Sequence, residues 1–237
     1  MAKKVFISVG HGGADSGAVG INGIKEKDVN LTISLECAKV LQRHGVDVLM
    51  SRIKDENDKT KVKECNAFLG SDGLAVDIHN NAGGGDGCEI YHYSKGGTSL
   101  TLAKNVVAEI SAIGQNLRLG TSGKKDGLKY KKNALGGEYY AFIRQTKAPA
   151  IIVECAFLDN KTDVQIIDTE AEQKKFGVAV AKGILKTLGI AYVEEKPVVE
   201  ETSDKLYRVQ VGAYSKKENA EKMRDKLKEL GINAIIV

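Results

Sequence analysis

The chain has 237 residues, 42% of them apolar, which is enough for one or two domains with a buried core. Lys and Arg number 35 against 31 Asp and Glu, a formal charge of +4, with no tryptophan and no aromatic residues interleaved with basic ones, which argues against a nucleic-acid protein. Cys37, Cys65, Cys88 and Cys155 form no Cys-x-x-Cys pair, so neither a thiolate zinc site nor a disulfide framework is indicated.

The N-terminal run MAKKVFISVGHGG is too short in its apolar part for a signal peptide and leads straight into fold-like sequence. No segment approaches a membrane span. The expectation is a protein made in the cytoplasm without a signal peptide, which acts elsewhere only after release or lysis. Residues 4–9 read as a buried strand. The glycine turn after it could be taken for a phosphate loop, but the third position of G-x-G-x-x-G is Asp15, and Gly17 is followed by Ala18 rather than Lys. An aspartate there repels phosphate, and that reading fails.

Residues 26–44 carry Val29, Ile33, Cys37, Val40 and Leu41 near a 3.6-residue period and predict a helix ended by Gly45. Strands follow at 46–51, 74–79 and 88–93, with a helix in 58–69 between the first two. A helix at 98–113, a strand at 148–155 and a helix at 170–188 complete the alternation. This pattern predicts an α/β fold with a mostly parallel central sheet flanked by helices. Residues 115–135 have no period and many lysines; they read as a flap near the ligand or as a solvated surface loop.

Beyond Gly189 the character changes. Residues 191–204 are acidic, contain Pro197 and read as a linker. Residues 205–237 read as one small β-α-β unit. Tyr207, Val209 and Val211 alternate, Ser215 and Glu218 propose a capping box, and Ala220, Met223, Leu227 and Leu230 form a helical stripe. INAIIV gives the second strand. Alone, a unit this small buries too little to be stable without a partner.

Four histidines are present: His11, His44, His79 and His92. His11 and His79 each stand at the C-terminal end of a predicted parallel strand, where such sheets place their ligands. Adjacent strands are ~4.8 Å apart, so two imidazoles can converge on one ion. Glu26, opening the first helix beyond the glycine turn, would supply the oxygen ligand of an open hydrolytic zinc site. The bland reading is two hydrogen-bonded structural histidines and a first-turn helix charge. Glu154 ends an apolar run, where a carboxylate is rarely unpartnered. It is either the general base that metal-assisted hydrolysis requires or half of a buried salt bridge, with Arg144 or Arg52. His44, near a helix C-terminus, and His92 read as structural, with His92 the spare ligand.

The segments VGHGGADSGAVG, GIKEKDVNL, SRIKD, DIHNNA, GCEIYHY and APAIIVECAFLDNKTD, in that order, resemble the zinc-dependent N-acetylmuramoyl-L-alanine amidases of the Amidase_3 type over roughly residues 3–188. The resemblance implies an amidase/zinc exopeptidase-like sheet in a catalytic domain of residues 1–190. It implies Zn2+ on His11, Glu26 and His79, with Glu154 as the catalytic glutamate. The implied substrate is peptidoglycan, cut between N-acetylmuramic acid and the L-alanine of the stem peptide. Asn80 and Arg144 are weaker candidates for substrate contact. Two positions depart from the family pattern: Ala156 stands where many relatives have glycine, and Asp77 where serine is common. Asp77 either orients an imidazole or points to the other face of the sheet.

Residues 205–237 resemble one β-α-β half of a SPOR domain, a module that binds glycan strands stripped of stem peptides. A single half implies a truncated module or pairing between chains, hence self-association. An endolysin or a sporulation-type autolysin fits the whole. The alternatives are a zinc exopeptidase and a catalytically inactive cell-wall-binding protein.

Overall fold

The computed structural model describes residues 3–57, 61–195 and 210–236. The chain divides into two compact units, Met1–Glu194 and Glu195–Val237. In the first, strands β1 (Lys4–Val9), β2 (Asp47–Met50), β3 (Leu74–Asn81), β4 (Glu89–His92), β5 (Leu128–Lys129) and β6 (Ala150–Phe157) make one sheet in the order β2-β1-β3-β6-β4-β5. Every neighbouring pair is parallel except β4–β6. The expectation of a mostly parallel sheet flanked by helices is met.

The two faces are unequal, and strand alternation assigns each side chain to one of them. Val5 and Ile7, Val76 and Ile78, and Ile151, Val153 and Cys155 face the larger core. That face is covered by α1 (Glu26–Arg43), α3 (Thr98–Ala112) and α6 (Glu170–Leu188), with α6 packed against both of the others. Phe6, Ala75, Ala150 and Ile152 face a smaller core under α2 (Lys61–Leu69) and the short α4 (Ala141–Gln145). Continuing with period two, the next positions on this second face are Ser8, Asp77 and His79, and Glu154. The apolar cover stops where these polar residues begin, so the strand ends on this face stand in an open crevice. All four cysteines are free and buried, as small apolar residues.

Several details differ from the sequence reading. The strand expected over 148–155 runs on to Phe157, which puts Glu154 inside the ladder rather than at its end. Residues 128–129 inside the expected loop form β5, because their backbone completes the edge of β4. The helices α4 and α5 (Lys161–Val164) are too short to show a period. The first residues of the expected linker are tied to the first unit. The His44 and Tyr192 rings stack at 5.4 Å, the Val193 amide donates to His44 Nε2 at 2.9 Å, and Arg43 donates to the Val193 carbonyl. The structural reading of His44 therefore holds.

In the second unit the one regular element among the described residues is α7 (Lys217–Glu229). The capping box expected at Ser215 and Glu218 does not form; the N-cap is Lys216, with no side-chain cap. Residues 210–214 and 232–236 form no strand; the rest of the expected first strand lies outside the described residues. A strand needs a neighbour to bond, and no ladder forms among the described residues of this unit. Ala220, Met223 and Leu227 are accordingly only half-buried.

Candidate metal centre and active site

The crevice is built by the two ends of one loop and one strand. After β1, His11 takes φ +58°, the one non-glycine residue at positive φ among the described residues. A side chain held in that conformation carries strain, which persists only where surrounding contacts fix it. The fixing contacts are visible. Arg52, 2% exposed, donates Nη2 to the Gly10 and Lys27 carbonyls at 3.2 and 2.6 Å. Lys27 reaches the Gly13 carbonyl and Asp55 at 2.9 and 2.6 Å. The SRIKD segment thus staples the loop to the start of α1. Two glycines stand against the site: a Cβ on Gly10 would come within 2.6 Å of the His79 ring, and one on Gly17 within 2.6 Å of both His11 and Glu26.

Glu26, 3% exposed, sits at the first position of α1, where the helix dipole favours an anion. Its Oε2 accepts from the Ala18 amide at 2.9 Å, and its Oε1 from the Asn80 amide at 3.1 Å and Asn30 Nδ2 at 3.2 Å. His11 Nε2 lies 3.1 Å from Oε2, and His79 Nδ1 lies 3.1 Å from Oε1. The two rings meet edge to face at 5.0 Å. One ligand atom from each of His11, Glu26 and His79 lies within 4.8 Å of the others, a donor set that could hold a metal ion.

Each imidazole also has an aspartate at its other nitrogen. Asp15 Oδ2 is 2.8 Å from His11 Nδ1, and Asp77 Oδ1 is 3.5 Å from His79 Nε2. Asp77 therefore lies on the histidine's face of the sheet, held by Ser8 Oγ at 2.5 Å and Lys61 at 3.5 Å. Carboxylates placed behind metal-binding imidazoles fix ring orientation and tautomer.

The electrostatics follow from this crowding. Burial works against ionising Glu26, but the two imidazoles outweigh it and hold the carboxyl well below the usual range. Burial would lower His79, but Asp77 and Glu26 push it up to about 10. Glu26, against the cost of burial and with help from Asp15, raises His11. Protons on the imidazoles offset the carboxylates, and a cation between them would take the place of those protons.

Glu154 lies directly across the ladder from His79 and, on its other side, from Glu89. Neither proposed salt-bridge partner reaches it. Arg52 is spent on the loop, and Arg144 Nη1 donates to the Glu138 and Tyr139 carbonyls at 2.7 and 2.8 Å. Glu154 Oε2 is buried and, among the described residues, has no hydrogen-bond partner. Burial pushes the carboxyl up to about 7; His79 opposes this, while Glu26, Glu89 and Asp77 add to it.

The two weaker candidates stand elsewhere. Asn80 alternates to the other face, is 3% exposed and gives its amide to Asn30 at 2.8 Å, so it supports Glu26 from beneath. Arg144 lines a separate cavity with Tyr93, Ser99 and Pro149 at the start of β6, four residues or about 13 Å of strand from Glu154. His92 is buried, bonded to the Tyr93 carbonyl, and is not part of the ligand group. The sequence reading passed over Asn30, Asp15 as a histidine partner, and Glu89. For Glu89 a signal existed: in CEIYHY it alternates with Tyr91 onto one face of a buried strand.

Comparison with known proteins gives the family. Residues 5–186 match the model of the Amidase_3 family, N-acetylmuramoyl-L-alanine amidase, and residues 181–237 match the SPOR domain. The chain is 31% identical to the sporulation-specific N-acetylmuramoyl-L-alanine amidase of Bacillus subtilis (strain 168), over 99% of this chain and 84% of that protein. It is 31% identical to the endolysin of Bacillus phage SPP1, over 80% of this chain and 68% of that one. Among solved structures, the catalytic domain of CwlV, N-acetylmuramoyl-L-alanine amidase from Bacillus (Paenibacillus) polymyxa var. colistinus, superposes with a TM-score of 0.67 at 27% identity, covering 80% of this chain and 99% of that one. With the family model spanning most of the chain and the crevice lying inside the matched region, this protein belongs to the N-acetylmuramoyl-L-alanine amidase family of the Amidase_3 type, followed by a SPOR domain.

Proposed function

We propose that the chain hydrolyses the amide between the lactyl group of N-acetylmuramic acid and the L-alanine of the peptidoglycan stem, with zinc on His11, Glu26 and His79 and with Glu154 as the base. The observation that carries the reading is one row of the sheet: a three-residue donor set ends beside a buried carboxyl oxygen that has no partner. Bound there, zinc would polarise the scissile carbonyl and acidify the attacking water. Glu154, one strand from His79, takes the water proton on its unpartnered oxygen. Having taken that proton, the same carboxyl returns it to the departing alanine amine. Asp15 and Asp77 keep the two imidazoles turned toward Glu26.

The test is the product. Zinc-loaded chain acting on purified peptidoglycan should release intact stem peptides with a free L-alanine amino terminus, and chelation should stop it. Single amino acids in the digest would instead indicate an exopeptidase. Relatives named as a sporulation-specific N-acetylmuramoyl-L-alanine amidase and as an endolysin support the wall as the substrate.

The proposal extends to the second unit. Val211, Leu230 and Ile235 are 58%, 69% and 82% exposed, an apolar surface that pairing between two chains would cover. Sedimentation of the full chain should show dimers growing with concentration; a monomer throughout the range would end that part of the proposal.

A further inference from the structure

Glu89 is nearly buried yet carries two cations. Its Oε2 lies 2.6 Å from Arg118 Nε and 2.5 Å from Lys129 Nζ, while its Oε1 accepts from Tyr91 Oη at 3.0 Å and Asn81 Nδ2 at 3.1 Å. The carboxylate is 5% exposed, whereas Arg118 and Lys129 are 28% and 20% exposed. One buried negative charge faces two half-exposed positive ones, and a positive charge is left over at the surface. The arrangement is held in place. The Arg118 guanidinium lies over the Phe157 ring at 4.5 Å, and a Cβ on Gly85 would collide with both. Lys129 is supplied by the short strand β5.

The position of this pair matters because of register. His79, Glu154 and Glu89 stand opposite one another on the adjacent strands β3, β6 and β4. Side chains in one such row share a face. The cations therefore flank Glu154 on the side away from the proposed metal, about two strand spacings or ~10 Å from His79. A substrate amide placed between His79 and Glu154 leaves roughly 5–8 Å to the cations. Two residues of extended peptide span about 7 Å.

We propose that Arg118 and Lys129, held by Glu89, bind a free carboxylate on the second residue of the stem peptide and so set substrate specificity. The inference rests on the amidase reading of the same crevice. Glu89 positions the two cations and does not touch the substrate. The rigid guanidinium fork and the mobile ammonium present donors to one carboxylate from two directions.

Two soluble muramyl peptides separate the possibilities, identical except that the second-residue carboxylate is free in one and amidated in the other. The wild-type chain should show a KM lower by roughly tenfold or more for the free form, the scale of a charge-assisted hydrogen bond. Arg118→Gln and Lys129→Gln should raise KM for the free form toward that of the amide, so that the ratio of kcat/KM between the two peptides falls toward one in each variant. Equal KM values for the two peptides with wild-type chain would overturn the proposal while leaving the amidase reading intact, and that comparison requires no variant to fold. A preference kept in both variants would also overturn it. Cleavage of neither peptide would remove the amidase reading, and this proposal with it.

Discussion

Glu154→Gln should keep its metal and lose about 10²–10⁴-fold in kcat, the usual contribution of a positioned acid–base group. The amide is nearly isosteric with the carboxyl, so the ladder positions of His79 and Glu89 on either side are undisturbed. What disappears is the acceptor of the water proton. The raised carboxyl pKa adds two signed expectations. Protonation removes the base, so wild-type activity should fall as the pH is lowered. A carboxyl whose folded pKa lies above its unfolded one destabilises the fold as pH rises between the two values. The metal-free variant at pH 8 should therefore melt at or above the wild-type temperature. Muropeptide release, metal analysis and thermal melting check the three statements. Native-rate digestion by the variant would remove Glu154 from the mechanism.

The second large effect is expected from His79→Ala, which should lose both bound metal and wall-lytic activity. Losing a partner behind a ligand costs about 10–100-fold in metal affinity, and losing the ligand itself costs more. The substitution also leaves Glu26 Oε1 with only the Asn80 amide and Asn30 as donors, and Asp77 with Ser8 and Lys61. Equilibrium dialysis against zinc, with circular dichroism to confirm the fold, reads the result. Zinc retained at one ion per chain with wild-type affinity would place the metal elsewhere.

Much of the site was legible because its residues sit at element boundaries. His11 follows the apolar run of β1, and Glu26 opens a helix whose period is plain in Val29, Ile33, Cys37 and Val40. Glu154 was conspicuous as a carboxylate in an apolar strand. Its partners were not legible: a charge in a strand can be answered from either neighbouring strand or from a loop, and strand order is not written in local sequence. Arg52 and Arg144 were reasonable candidates from charge alone, yet both donate to loop carbonyls. Asp77 illustrates the same limit. Its i, i+2 relation to His79 placed both on one face once the strand was certain, but its distance to the imidazole came only from the fold.

The C-terminal unit shows the reverse case. Its alternation and helical stripe are clear in sequence, and α7 forms where the stripe lies. The flanking segments described at 210–214 and 232–236 remain outside any ladder. Hydrophobic alternation states a preference for pairing, and a ladder still needs a second backbone to bond.

The sequence by itself determined the alternation of strands and helices in the first unit and singled out His11, Glu26, His79 and Glu154 as candidates, to which the family resemblance assigned the metal and base roles. The alternation depends on periodicity, and the candidates on position within single elements. Tertiary structure alone decided that β4 runs antiparallel to β6 and so brings Glu89 opposite Glu154. It also decided that an aperiodic lysine-rich segment donates β5, and that Arg118 and Lys129 converge on one buried carboxylate. Such meetings join residues far apart in the chain, and the register of the strand pairing behind them is fixed by the whole core.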